Sequence, residues 1–251
     1  MKTIPNIKLT IDEYMHITEE QRFSKGGESI ICTSDKPNTL YKFFKNPEND
    51  FLIDMPENKE KKIARLYQIE PDFAVKPVST ISAGNYLVGY EMTYNPKLIP
   101  LKGARVSREE KIEILKKVKD ALEYFKELDI VYGDVKSNNI LIDPKTGEIL
   151  FCDMDNVQLD NYPIDLITIY VRHFTSKYGK IDHVVDAYMH NIMTLQQLGF
   201  PNPNPTYIDV IKTIEEKISP AGFAKEARAI FDAMANPETF TGEYAIQYIM
   251  K

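Results

Sequence analysis

The sequence contains only two cysteines, Cys32 and Cys152, and no run of apolar residues long enough to cross a bilayer. Two cysteines that lie so far apart in the sequence fit a reducing compartment better than a disulfide framework. The first ten residues, MKTIPNIKLT, lack the apolar stretch that a secretory signal requires. From these absences we expect a cytoplasmic protein with no membrane partner.

The chain also lacks an excess of basic residues. Its 31 lysines and arginines are outnumbered by 37 aspartates and glutamates, and the formal net charge is −6. A dedicated nucleic-acid-binding protein usually has the opposite imbalance, so we expect no nucleic-acid partner, whereas a local basic site for an anionic ligand is compatible with this charge. The four histidines show no spacing with cysteines or acids that suggests a metal site.

A chain of 251 residues, 43% of them hydrophobic, is long enough to bury one large core or two modest ones. The type of periodicity changes along this chain. The first hundred residues contain short runs typical of strands, separated by turn-forming residues, at 28–33, 39–44, 74–81 and 86–93. Residues 58–69 have the apolar spacing of a helix that ends before Pro71. This pattern predicts a small unit of strands around one helix.

Beyond Pro96 and Pro100 the sequence is mainly helical. Ser107 and Glu110 have the spacing of a capping box. The apolar residues behind them recur at steps of three or four and predict a buried stripe of about five turns: Ile112, Leu115, Val118, Leu122, Phe125 and Leu128. Short strands are predicted at 139–142 and 149–151, and helices around 184–198, 207–217 and 222–234. We therefore predict an α+β fold with one part over residues 1–94, a helical part over 95–251, and a hinge near 93–98.

The segment 131–142, VYGDVKSNNILI, holds three side chains of the kinds that phosphoryl transfer needs. The carboxylate of Asp134 suits a base that orients a hydroxyl and accepts its proton. The ammonium of Lys136 suits the negative charge of the transferred phosphoryl group, and the carbonyl oxygen of Asn139 suits magnesium. Asp153 follows the second short strand and is a candidate for the other magnesium ligand.

This segment resembles the catalytic loop of protein kinases, H-R-D-L-x-x-x-N, and the residues after it resemble the D-F-G magnesium motif. Here the loop reads Tyr132-Gly133-Asp134-Val135-Lys136-Ser137-Asn138-Asn139, and the second motif reads Asp153-Met154-Asp155. Lys136 is at the position typical of serine/threonine kinases. The resemblance covers roughly residues 20–200. It implies a bilobal protein-kinase-like fold, in which a small β-rich N-lobe and a helical C-lobe bind ATP and Mg²⁺ between them.

The resemblance also implies nucleotide-binding residues in the first part of the chain. Lys42 takes the place of the third-strand lysine that holds the α- and β-phosphates. Glu60 takes the place of the helix glutamate that orients this lysine, and Glu57 is the second choice. The other implied contacts lie in a degenerate glycine-rich loop, at a gatekeeper position and at the hinge: Gly26, Gly27, Met92 and Thr93.

Three features depart from the family pattern. Tyr132-Gly133 replaces the His-Arg pair, whose arginine normally receives a phosphate from the activation segment, so we do not expect phosphorylation of that segment to be the switch. Asp155 replaces the glycine of D-F-G, and no A-P-E motif follows Asp153. Asp186, by contrast, matches the aspartate that usually braces the catalytic loop from a central helix.

We therefore predict an ATP- and Mg²⁺-dependent phosphotransferase, namely a serine/threonine-type protein kinase that transfers the γ-phosphate to a hydroxyl of a protein substrate. A kinase of the same fold that acts on a small-molecule alcohol is the first alternative, favoured by the missing A-P-E motif. A partner-binding pseudokinase is the second, and the presence of all four expected site residues counts against it: Lys42, Asp134, Asn139 and Asp153. Transfer of the adenylyl group ranks last.

Overall fold

The computed structural model describes residues 2–25, 29–44, 57–164, 181–199, 225–234 and 240–249, without the side chains of Glu57, Lys225, Arg228 and Asp232. The chain divides into two compact units, Met1–Pro96 and Lys97–Lys251. The first contains a six-stranded sheet, and the longest helices belong to the second. This mixed architecture agrees with the predicted α+β class. Within the described ranges, no helix is long and apolar enough to cross a membrane.

The first unit begins with strand β1 (Asn6–Leu9) and helix α1 (Ile11–Glu20), followed by strands β2 (Arg22–Lys25), β3 (Ser29–Thr33) and β4 (Thr39–Phe44). Helix α2 (Glu57–Ile69) precedes strands β5 (Pro77–Ala83) and β6 (Tyr86–Thr93). The strand order in the sheet is β1-β5-β6-β4-β3-β2. Strand β1 runs parallel to β5, and the other neighbouring strands are antiparallel. Strands β4 and β6 have the predicted bounds.

Strand β1, helix α1 and strand β2 were not predicted, although the sequence carries a signal for the helix. Thr10 and Glu13 form a capping box, in which Glu13 N donates to Thr10 Oγ1 (3.1 Å) and Thr10 N donates to Glu13 Oε2 (2.7 Å). Helix α1 buries Tyr14 and Ile17 in one cluster with Phe43. Strand β1 alternates polar and apolar residues over only four positions, and its Ile7 and Leu9 pack against this cluster while the strand pairs with the edge of β5.

Helix α2 packs on the opposite face of the sheet from α1. Side chains alternate between the two faces along a strand, so Phe44 points away from the cluster that contains Phe43. Phe44, Ile63 of α2 and Tyr90 form a second buried cluster. Lys42 lies opposite Tyr90 in the register of β4 and β6 and therefore shares this α2 face.

A buried carboxylate ties the strands of the first unit to the turn before β4. Glu91 of β6 is fully buried and accepts hydrogen bonds from Ser34 Oγ (3.1 Å), Thr39 Oγ1 (3.2 Å) and Ser79 Oγ (3.0 Å), and it pairs with Lys36 Nζ at 2.8 Å. Burial by itself raises the pKa of Glu91, but the bonds from Lys36 and the hydroxyls outweigh it and hold this pKa below its usual value. The buried charge is thus satisfied by four donors.

The second unit begins with strand β7 (Ile99–Pro100), a turn of 3₁₀ helix (Leu101–Gly103) and the long helix α3 (Arg108–Glu127). Four short strands follow: β8 (Ile130–Val131), β9 (Ile140–Ile142), β10 (Ile149–Phe151) and β11 (Gln158–Leu159). Strands β10, β9 and β7 form one antiparallel sheet, and β8 pairs with β11. Helices α4 (Val184–Gln197) and α5 (Lys225–Ala233) follow. The helix predicted at 207–217 lies outside the described residues.

Helix α3 forms as the sequence predicts. Ser107 Oγ accepts from Glu110 N (3.2 Å), and Ser107 N donates to Glu110 Oε2 (2.7 Å), which confirms the capping box. The predicted stripe is buried from Ile112 to Phe125, whereas Leu128 at the helix end is only partly buried. Full burial of each large apolar side chain contributes roughly 1.5–3 kcal/mol, so this stripe anchors the second unit.

We expect Gly89→Ala to destabilise the first unit, because strands β4 and β6 approach closely at this residue. A Cβ on Gly89 would lie 2.3 Å from the backbone oxygen of Lys42 and 3.0 Å from Cα of Phe43. Backbone atoms cannot give way as a side chain does, so the free energy of unfolding should fall by roughly 2–3 kcal/mol. Thermal unfolding measures this change.

The matched control is Gly103→Ala, since an added Cβ at Gly103 meets no atom within 4 Å. An unchanged melting temperature for Gly89→Ala, or an equal loss in both variants, would contradict the close approach of the two strands.

Candidate active site

Three predicted site residues meet in the loop that joins β8 to β9, residues 132–139, here called the Asp134 loop. Lys136 Nζ lies 2.6 Å from Asp134 Oδ2, and Asn139 Nδ2 donates to the same oxygen at 2.7 Å and to the backbone oxygen of Asp134 at 3.2 Å. The Asp134 side chain is 16% exposed and that of Lys136 is 47% exposed. The loop thus presents a partly buried carboxylate beside a solvent-accessible ammonium.

Opposing effects act on the protonation of Asp134. Burial raises its pKa, the hydrogen bond and charge of Lys136 and the bond from Asn139 lower it, and the negative charge of Asp153 raises it again. The net shift is upward. An upward shift makes this carboxylate a stronger proton acceptor than an ordinary surface aspartate.

The amide of Asn139 has a defined orientation. An ionised Asp134 offers only acceptors, so the amide nitrogen of Asn139 must face it, and the amide oxygen then faces away. The backbone of Asn139 is also held, because its N–H donates to Lys136 O (2.9 Å) and its oxygen accepts from Cys152 N (3.0 Å). Asn139 therefore links the carboxylate, through its side chain, to the end of β10, through its backbone.

Asp153 stands just beyond β10 in an unusual backbone conformation. Its φ of 58° and ψ of 35° lie in the left-handed region, which non-glycine residues rarely occupy and in which aspartate is among the better tolerated. Its charge raises the pKa of both Asp134 and Tyr132, so the three groups are close enough to interact. The part of the chain that is described contains no group of three or more His, Cys, Asp or Glu side chains placed to hold a metal ion.

Asp186 in the first turn of α4 holds the Asp134 loop, as the sequence analysis predicted. Asp186 is 2% exposed, and its two carboxylate oxygens accept the backbone N–H groups of Tyr132 (2.8 Å) and Gly133 (2.7 Å). Two successive N–H groups converge on one carboxyl group, in an arrangement similar to an anion-binding nest. The φ of Gly133 is 70°, a conformation that favours glycine and accounts for glycine at this position.

Tyr132 connects the Asp134 loop to the strand that precedes Asp153. Its hydroxyl donates to the backbone oxygen of Cys152 at 2.6 Å. Its ring is almost fully buried and packs edge-on against Phe151, with ring centroids 4.8 Å apart. Burial raises the pKa of Tyr132 well above its usual value, so the hydroxyl keeps its proton and remains a donor. The sequence analysis identified Tyr132 as a departure from the kinase pattern but did not predict this hydrogen bond.

The first unit holds other predicted site residues. Lys42 is 4% exposed, and its Nζ lies 5.9 Å from the ring centroid of Tyr90. Met92 is half-buried and packs against the cluster of Phe44, Ile63 and Tyr90. Thr93 is bound to the backbone before β5, since its N–H donates to Lys76 O (2.8 Å) and its Oγ1 accepts from Lys76 N (2.9 Å).

The structure does not bring Glu60 into the interior. Glu60 is exposed on α2 and forms no ion pair with another described residue, so its pairing with Lys42 stays a prediction. Lys62, two residues further on, is fully buried instead, and its place in a charged run does not indicate this burial. The side chain of Glu57 and both loop glycines, Gly26 and Gly27, lie outside the described residues.

Two further features were not foreseen. Gln158 of β11 binds both backbone groups of Ile181, donating from Nε2 to its oxygen and accepting its N–H at Oε1, each at 2.8 Å. This bond fixes the chain just before α4. A polar cavity of about 190 Å³ lies among α3, the start of α4 and residues 241–248, and it is lined by Asp186 but by none of the predicted site residues. Neither feature has a local sequence signal, because each joins distant segments.

We expect Tyr132→Phe to lower the free energy of unfolding by about 1–2 kcal/mol. The variant keeps the ring packing but removes the partly buried hydrogen bond from the hydroxyl to the backbone oxygen of Cys152. Urea unfolding measures the change, and Tyr86→Phe is the control, because Tyr86 is 47% exposed. Equal stability of Tyr132→Phe and the control would show that the hydroxyl bond is not formed in solution.

We also expect Asp186 to give stability a particular dependence on pH. Burial raises the pKa of Asp186 from 3.8 to about 7, although its two N–H bonds act in the opposite direction. Between these values the folded chain holds a proton that the unfolded chain has lost, so the contribution of Asp186 to stability falls as pH rises from about 4 to about 7. The full change is on the order of a few kcal/mol.

Unfolding free energies measured across this pH range for the wild type and for Asp186→Asn test this expectation. The asparagine cannot titrate, so its stability should decline less steeply with pH than that of the wild type. Parallel pH profiles of the two proteins would mean that Asp186 is ionised throughout the range.

The comparisons with known proteins add no family to this picture. No protein-family model matches the chain, and no curated protein matches it. The function therefore has to be argued from the side chains that the Asp134 loop, strand β10 and helix α4 bring together.

Proposed function

We propose that this chain is an ATP- and Mg²⁺-dependent phosphotransferase with a bilobal protein-kinase-like fold, and that it transfers the γ-phosphate of ATP to a hydroxyl. One observation carries the proposal: Lys136 and Asn139 both bind Asp134 Oδ2 in a loop that is braced from behind by a buried carboxylate. A turn that only connected two strands would not need this convergence of charged and amide groups.

Asp134 acts as the base in this proposal. Its partial exposure lets a hydroxyl reach the carboxylate, and its raised pKa favours acceptance of the hydroxyl proton as the oxygen attacks phosphorus. The bonds from Lys136 and Asn139 hold the carboxylate in one orientation. Such positioning is the main contribution that a protein can make to phosphoryl transfer, because the transfer itself needs little covalent chemistry from the protein.

Lys136 binds and stabilises the transferred phosphoryl group in this proposal. Its side chain is about half exposed, so the ammonium can bind an incoming phosphate oxygen while it remains next to Asp134. A lysine two residues after the base also favours a serine or threonine acceptor in a protein, by the resemblance to serine/threonine kinases. The missing A-P-E motif favours the alternative acceptor, a small-molecule alcohol.

Asp153 and Asn139 fit a magnesium ion by their chemistry. A carboxylate and an amide oxygen are hard oxygen ligands, and magnesium in nucleotide sites takes only a few protein ligands, with phosphates and waters completing its shell. The electrostatic interaction between Asp153 and Asp134 is unfavourable when both are ionised, and a nearby divalent cation would relieve it. Bound magnesium would neutralise charge on the phosphates of ATP.

The nucleotide-binding residues of the first unit are inferred by resemblance. Lys42 lies on β4, the third of the antiparallel strands in chain order, and Met92 and Thr93 end β6, the fifth. Both positions are those that the kinase resemblance implies. Gly26 and Gly27 retain their proposed role at the triphosphate.

The decisive experiment compares thermal unfolding with and without ATP and magnesium. At a hundredfold excess over the dissociation constant, the nucleotide should stabilise the fold by roughly 2.7 kcal/mol, which raises the melting temperature by a few degrees. Asp153→Ala should lose the magnesium-dependent part of this shift. Asp134→Asn should keep the shift but transfer no phosphate to a panel of serine-containing proteins and small alcohols.

Asp120→Ala is the matched control, because it removes an aspartate whose side chain is 66% exposed on α3. It should behave as the wild type in both assays. If millimolar nucleotide produces no shift in the wild type, the phosphotransferase proposal is wrong and a partner-binding role replaces it.

A further inference from the structure

A basic segment borders the Asp134 loop. Residues 97–108, KLIPLKGARVSR, contain four basic residues and no acidic one, in a chain whose formal net charge is −6. We call these residues the basic segment. Such a local excess of positive charge in an acidic protein favours an anionic ligand at this place.

Backbone contacts fix the position of the basic segment. Strand β7 pairs with β9, so that Ile99 lies opposite Ile142 and Pro100 opposite Leu141. Lys102 N donates to the backbone oxygen of Ser137 at 3.0 Å. Because Ser137 follows Lys136 in the Asp134 loop, the basic segment contacts this loop at Lys102, close in sequence to the groups proposed to carry the chemistry.

Three of the four cations of the basic segment are exposed side chains. Lys102, Arg105 and Arg108 are exposed and form no ion pair with another described residue. Lysines further along α3 do form such pairs, for example Lys119 with Glu123 at 2.7 Å. These three basic side chains, which form no ion pair among the described residues, are available to a ligand.

Arg108 stands where a helix disfavours a cation. It is the first residue of α3, and the N-terminal end of a helix carries a partial positive charge that favours acidic side chains there. Glu109 and Glu110 follow this preference, and Arg108 opposes it. A residue that opposes the local preference without a structural benefit points to a function outside the helix.

The spacing of the cations indicates what kind of anion fits. Lys102 lies in the 3₁₀ turn, whereas Ala104 and Ser107 have extended backbone conformations, with ψ of 130° and 169°. Lys102, Arg105 and Arg108 are three residues apart in the sequence, and the six-residue stretch from Lys102 to Arg108 spans at most about 20 Å. Charges carried at successive positions along the chain match several acidic side chains of a peptide better than a single phosphate, which needs donors around one point.

We propose that the basic segment docks an acidic stretch of a protein substrate beside the hydroxyl that is to be phosphorylated. The link to catalysis rests on the proposed function, whereas the binding itself does not. The proposal selects a protein acceptor over a small alcohol and states its character: acidic residues near the serine or threonine.

Fluorescence anisotropy tests the binding with a labelled peptide that carries one serine flanked on both sides by glutamates. The full chain should bind this peptide and not the same peptide with lysines in place of glutamates. Lys102→Gln and Arg105→Gln should each weaken binding about threefold, and the double variant about tenfold. Binding should also weaken as salt rises from about 0.05 M to about 0.3 M.

Lys145→Gln is the matched control, because Lys145 is exposed on the turn between β9 and β10 of the same unit. It should bind the acidic peptide as the wild type does. Equal binding of the two peptides, or an equal loss in the control and in Arg105→Gln, would overturn the proposal. Tighter binding of a single-stranded RNA by the same residues would assign the basic segment to nucleic acid and would overturn it as well.

This assay contains no ATP, so its result is separate from that of the phosphotransferase test. Peptide binding without any nucleotide-dependent shift would leave the docking surface in place and refute the kinase. Phosphate transfer to serine peptides without regard to their charge would support the kinase and refute the docking surface.

Discussion

Asp186 accepts two successive backbone N–H groups with one buried carboxylate, and the candidate site depends on this interaction. The N–H groups of Tyr132 and Gly133 would otherwise be unsatisfied in the interior, and a buried polar group without a partner costs about 1–3 kcal/mol. The two hydrogen bonds from Asp186 of α4 hold the first residues of the Asp134 loop in place. Because Asp134 follows Gly133 directly, its position depends on Asp186, which lies on a helix distant in sequence.

Other bonds then make the loop rigid around its carboxylate. Tyr132 reaches the oxygen of Cys152, and Cys152 N reaches the oxygen of Asn139, so the loop and the end of β10 hold each other in place. The side chain of Asn139 in turn donates a hydrogen bond to the carboxylate of Asp134. Asp153 follows at once in a left-handed conformation. A site in which each group is fixed by another can orient a substrate without reorganising, which is the requirement for phosphoryl transfer.

The first unit also contains a buried carboxylate that anchors a turn through hydrogen bonds. Glu91 is buried in the sheet with three hydroxyl donors and the ammonium of Lys36, so its charge is fully compensated. The network joins the turn before β4 to β5 and β6 and thereby supports the strand ends that carry Met92 and Thr93. A buried carboxyl group in each unit thus anchors a segment without regular structure.

The sequence by itself determined the elements whose signals are local. The capping box and apolar stripe of α3, the bounds of β4, β6 and β10, and the spacing of Asp134, Lys136 and Asn139 are all readable from neighbouring residues. Only the tertiary structure decided which charged residues are buried. Lys62 lies inside while Glu60 remains exposed, and Tyr132 donates to Cys152 twenty residues away. Strand β1 likewise pairs with β5, which is distant in sequence. The physical reason is that burial and hydrogen bonding depend on partners from distant segments, which no local pattern encodes.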